Sequence, residues 1–188
     1  MHVTVLEEQV RQSYGLTVYT HKTHEKCADL LIDQQWWIKV TQIGLSALTT
    51  VGFLAAVLGE DWAAFVGLAI SAILFALNAY TKQYDPGETA QKHRRAAADL
   101  WLIREQYMSL ITDIRIDRHP TEELLVRRDD LIERTHGLYV EAPSTTPKAY
   151  KKAQVALQEQ EELTFSNDEI DSFLPESLRS TGRIKTSD

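Results

Sequence analysis

Of the chain's 20 basic and 27 acidic residues, only Glu60 and Asp61 lie between Val40 and Thr81. Val40 to Gly59 carries no charge, and neither does Trp62 to Thr81. At about 1.5 Å of rise per residue, a helix through either stretch is roughly 30 Å long, the thickness of a bilayer's hydrocarbon core. The Glu60–Asp61 link is too short for anything but an antiparallel helical hairpin. Trp36 and Trp37 stand before the first stretch, Trp62 opens the second, and Tyr80 and Tyr84 mark its exit. Tryptophan and tyrosine collect at membrane–water interfaces in this way. The alternative is a hairpin buried in a soluble bundle, but nothing else in the chain is apolar enough to cover two such helices. A cleaved signal peptide does not fit either, because the first stretch starts too deep and a second follows at once.

Basic residues resist translocation and so set orientation. Lys22, Lys26 and Lys39 precede the first stretch, and Lys82, Lys92, Arg94 and Arg95 follow the second. The turn has none. Both termini are therefore expected in the cytoplasm, with Glu60 and Asp61 outside.

The remainder reads as helix, giving an all-α fold: a two-helix transmembrane hairpin with a cytoplasmic helical bundle. The expected divisions are a helical segment at 1–35, weakly broken near Gly15; spans at 36–59 and 62–81 around an external turn at 60–61; and cytoplasmic helices at 82–140. A linker and C-terminal helices follow at 141–179, then a disordered tail at 180–188. Asp85-Pro86-Gly87-Glu88 is a helix start, with a capping side chain, proline at the first position and glutamate three residues after the cap. That helix is predicted to reach about Asp117. A further one follows Pro120 and should close at Gly137. Pro147 opens a polar helix, predicted over 147–164, with a thin stripe of Tyr150, Ala153 and Leu157, and Ser166 with Glu169 forms another cap pattern.

At about 100° per residue, Gln42, Ser46, Thr49 and Thr50 share one arc of the first span, with Lys39 on one side and Phe53 and Val57 on the other. A polar stripe in a span should face protein or water. It fits a pore lining closed by apolar side chains farther out. It fits equally well interhelical hydrogen bonding, or hydroxyls bonded to their own backbone. Two helices cannot enclose water, so a pore requires a homo-oligomer. Ala63, Gly67 and Ser71, four apart, allow close helix approach, either to the first span or to another subunit. Asn78 is a polar outlier that could pair across helices.

Lys92, Arg94 and Arg95 form a basic cluster suited to the phosphates of a nucleotide or of lipid headgroups, or simply the orientation signal itself. His21, His24 and Cys27 share a helix face, but no fourth ligand is apparent, so no metal is expected. One cysteine leaves no intrachain disulfide. A net charge of −7 argues against nucleic acid as a partner. With no nucleophile–base arrangement, Gly-rich phosphate loop or paired acidic motif, neither catalysis nor a cofactor is expected.

The run HKTHEKCADLL (His21 to Leu31) leading into WWIKVTQIGLSALTT (Trp36 to Thr50), a tight turn, a second span and QKHRRAAADLWLIREQY (Gln91 to Tyr107) resembles the SLATT family. These are the SMODS- and SLOG-associating two-transmembrane effectors. The similarity extends over roughly Thr20 to Leu178. It implies a bacterial antiviral-defence effector of the inner membrane that permeabilises it on a signal. A cyclic nucleotide or a nucleotide-generating sensor protein would be the partner. A passive anchor, whose helices dock another protein, is the competing expectation.

Overall fold

The computed structural model describes residues 2–117 and 119–179. It consists of α1 (His2–Val57), α2 (Asp61–Gln83), α3 (Pro86–Arg115), α4 (Thr121–Glu141), α5 (Pro147–Gln158) and α6 (Asn167–Phe173), with a 3-10 turn at Glu176–Leu178. No strand occurs among the described residues. The expected disordered tail at 180–188 lies outside them.

α1 is one helix of 56 residues, and the break expected near Gly15 is absent. A mid-helix glycine costs only about 1 kcal/mol relative to alanine. Leu6 and Val10 before it and Thr17, His21, His24 and Ala28 after it form one buried face, which offsets that cost. The helix that enters the apolar hairpin is thus the same helix that anchors the bundle. Its first half packs on α3 and, farther along, on α5. The core there gathers Leu6 and Val10 of α1, Ile103, Tyr107, Leu110 and Ile114 of α3, and Leu124 and Leu131 of α4. Burial of such side chains is worth about 1.5–3 kcal/mol each.

The far end of α1 is closed by a Schellman arrangement. Glu60 N–H donates to the Ala55 carbonyl at 3.1 Å and Gly59 N–H to that of Ala56 at 3.1 Å. This places Gly59 at φ +101°, where a side chain would be strained. α3 starts as expected: the Asp85 carboxylate accepts from Gly87 N–H at 2.8 Å and Glu88 N–H at 3.1 Å. α4 does not close at Gly137 but runs to Glu141. Leu138 still packs on the core, and the helix stops only where Ala142 must turn extended ahead of Pro143. α5 ends at Gln158, short of the expected 164. Ser166 and Glu169 form the full capping box of α6.

The apolar stretches of α1 and α2 are each long enough to cross a membrane and are almost wholly uncovered. A hairpin sheltered in a soluble bundle would be largely covered. Here Ile43, Phe53, Leu54, Phe65, Leu68 and Phe75 are all exposed. So large an uncovered apolar surface marks membrane association.

Candidate functional site

Within the hairpin, α2 divides the polar stripe of α1 in two. Gln42 and Thr49 turn toward α2, as do Leu45, Gly52 and Ala56, all partly buried. Lys39, Ser46, Thr50, Phe53 and Val57 remain exposed on the neighbouring face. Gln42 Nε2 donates to Asn78 Oδ1 at 2.8 Å, an interhelical bond between the two amides. Each hydroxyl of the stripe donates to a carbonyl one turn back: Ser46 to Gln42 at 2.8 Å, Thr49 to Leu45 at 2.9 Å and Thr50 to Ser46 at 3.0 Å. Such bonds satisfy the donors and leave oxygen lone pairs to accept from water or from another chain.

The small residues of α2 serve the same seam. Ala63 is 1% exposed and Gly67 half-buried, whereas Ser71 is exposed. A Cβ added at Gly52 would lie 3.6 Å from the Ala63 carbonyl oxygen and 3.8 Å from Gly67 Cα, so the helices cross closely here. At the other end, Trp36 and Trp37 meet edge to face at 4.7 Å between ring centroids, and Tyr80 and Tyr84 at 5.7 Å. Trp37 and Tyr84 line one cavity, so the aromatics that open the apolar half of α1 and those at the exit of α2 stand at the same end of the hairpin.

The basic cluster is largely paired. Lys92 bonds Glu88 at 2.8 Å and Arg94 bonds Asp29 at 2.6 Å. Arg95 lines a small cavity with Asp99 and Glu141. His93, between them in sequence, turns inward. Its Nδ1 lies 2.9 Å from Nδ1 of His24, and both rings are buried. His21 Nδ1 lies 2.9 Å from the Ala97 carbonyl oxygen and therefore donates to it. Burial, and next the neighbouring His93 and His21, lower His24 to about 4; burial lowers His93 as well. Cys27 is buried one turn farther on. Among the described residues no group of three or more His, Cys, Asp or Glu side chains could hold a metal ion.

Two features escaped sequence reasoning. Glu162, in the turn after α5, contacts Lys22 Nζ closely and Lys26 Nζ at 3.1 Å. The Lys22 ammonium also reaches Glu25 at 2.7 Å. Burial works against its charge, but Glu162 and Glu25 outweigh that and raise its pKa. Glu161 at φ +52° and Leu163 at φ +74° flank the contact, in a backbone region costly for such residues. The second feature is an open cavity of about 690 Å³ at the foot of the hairpin, lined by α1, Tyr84, the start of α3, the connection before α5 and α5 itself. Lys148 and Asp33, which line it, are too far apart in sequence for any motif to link them.

No curated protein and no solved structure matches the chain. A family model, "SMODS and SLOG-associating 2TM effector domain family 4", matches residues 6–169, a range that takes in both apolar helices and most of the bundle. The chain belongs to this family of two-transmembrane effectors associated with defence systems.

Proposed function

We propose that this protein is a bacterial antiviral-defence effector that assembles as a homo-oligomer in the inner membrane and permeabilises it on a signal. The observation that carries the reading is the uncovered face of α1, where Ser46 and Thr50 stand exposed between Lys39 and the apolar Phe53 and Val57. Facing a symmetry axis, that face would offer a wet inner half and an apolar constriction farther out, which can gate by dewetting. Both termini would be cytoplasmic, following the basic residues that flank the hairpin. The bundle would receive the signal, a cyclic nucleotide or a nucleotide-generating partner protein. Because α1 is unbroken, any tilt or rotation of its bundle half would reach the span directly. A signal shifts the closed-to-open balance only if it binds the open state more tightly. No catalytic step is involved.

The test is dye and ion leakage from liposomes carrying the full chain, with and without candidate cyclic nucleotides. Leakage on a trigger, lost when Ser46 and Thr50 are replaced together by Leu and Val, is expected. A correctly inserted chain that never leaks would overturn the reading.

One observation favours a second reading, that of a passive anchor whose bundle docks a partner protein. Every hydroxyl of the stripe is already bonded to its own backbone, and Gln42 to Asn78. An anchor would keep its cellular function when Gln42, Ser46, Thr49 and Thr50 are all replaced by Leu or Val.

A further inference from the structure

We propose that the cavity at the foot of the hairpin binds a phosphoethanolamine group, as carried by an ethanolamine phospholipid. The cavity's volume, about 690 Å³, is in the range of small-molecule sites. Leu30, Leu31 and Trp37 of α1, with Tyr84 just past α2, give it an apolar wall. That wall lies where the apolar spans begin and end, so an acyl chain leaving the cavity would run on along the hairpin. The lining also includes one carboxylate, Asp33, one ammonium, Lys148, and the Ser144 hydroxyl. Neither charge has an ion-pair partner among the described residues, and the His93 ring that lines the cavity is occupied by His24.

One acid and one base in the same cavity suit neither a bare anion nor a bare cation, and they match a zwitterion. Lys148 and Ser144 can donate to phosphate oxygens, and Asp33 can accept from a primary ammonium. A quaternary ammonium has no N–H to give Asp33, and a glycerol headgroup has no cation. The same chemistry could come from a lipid or from a free phosphoester; the site's position beside the interfacial aromatics favours the lipid. Only that choice of source rests on the membrane placement proposed above.

The experiment uses the full chain, purified in detergent and stripped of lipid. Native mass spectrometry counts adducts with phosphatidylethanolamine, phosphatidylcholine and phosphatidylglycerol of matched acyl chains, and with soluble glycerophosphoethanolamine. Phosphatidylethanolamine should be retained over the other two lipids. Lys148→Glu and Asp33→Lys should each weaken it about tenfold, the scale of one lost charge-assisted hydrogen bond. Lys148→Arg should preserve it, which guards against a folding defect. Retention of the lipid alone assigns the membrane source; equal binding of the soluble ester, with the same dependence on both residues, supports the chemistry and assigns a free source. Equal retention of all three lipids, or indifference to Lys148→Glu and Asp33→Lys, overturns the proposal. No arm requires a bilayer or a pore, so failure of the leakage reading would be separately visible.

Discussion

His24 on α1 and His93 on α3 meet Nδ1 to Nδ1 at 2.9 Å inside the seam that joins the two helices. One nitrogen must donate and the other accept, so at least one ring must stay neutral, and burial disfavours a charge on either. His24 titrates at about 4 here against 6.5 in an open chain. Between those values the unfolded chain binds the proton that the folded one refuses, so stability rises with pH. Stability that is full above about 6.5 should fall by as much as roughly 3 kcal/mol as pH drops toward 4. Thermal melting of the detergent-solubilised chain at stepped pH checks this. His24→Gln should flatten the slope between pH 6.5 and 4; an unchanged slope would count against the pair.

The turn after α5 is pinned by Glu162, which sits against both Lys22 and Lys26. Lys22 is 7% exposed, so its charge depends on the carboxylates around it. Glu162→Gln should cost about 1 kcal/mol, moderated because Glu162 is partly exposed and water screens it. Glu159→Gln, on the neighbouring turn and outside the clasp, should be near neutral. Protease sensitivity of the segment after Gln158 provides a local readout. Equal cleavage of the Glu162→Gln and parent chains would show that the clasp does not hold the segment.

The hairpin, the capped start of α3 and the box at Ser166 and Glu169 were all legible in the sequence, because each rests on local chemistry within a few residues. Gly15 and Gly137 misled, since a glycine stops a helix only where tertiary packing does not carry the chain through it. Val10 and Thr17 are buried around Gly15, and Leu138 packs on the core just after Gly137. The polar stripe was legible as an arc, but its division was not. Which of its residues face α2 depends on the crossing at Gly52 and Gly67, a relation between two helices. The same holds for His24 with His93: the spacing of His21 and His24 announced a shared face, and nothing announced which side chain of α3 would meet it.

That crossing supports a steric prediction. A single methyl at Gly52 would make ordinary van der Waals contacts, 3.6 Å from the Ala63 carbonyl. Gly52→Ala should therefore be tolerated. Gly52→Leu has no such room and should pry the two helices apart, with a cost of about 1–3 kcal/mol typical of overpacking. A cysteine pair placed across the seam, cross-linked in membranes, would report the separation as a loss of coupling. Efficient cross-linking in Gly52→Leu would mean that the helices do not approach there.

Gln42 and Asn78 link the same seam through their amides. A bond of this kind within a membrane is worth about 0.6 kcal/mol on average and up to about 1.7. Gln42→Leu should weaken the hairpin by that order, and Asn78→Leu in the same chain should add little more, since each removes the same bond. Hairpin strength can be read by the denaturant dependence of unfolding in mixed micelles. Independent, additive losses would show that the two amides do not act as a pair. The consequence reaches the proposed pore, because Gln42 belongs to the inner seam while Ser46 and Thr50 belong to the open face. Gln42→Leu alone should therefore reduce assembled protein more than leakage per assembly, whereas replacing Ser46 and Thr50 should do the reverse. Liposome leakage normalised to inserted protein separates the two effects.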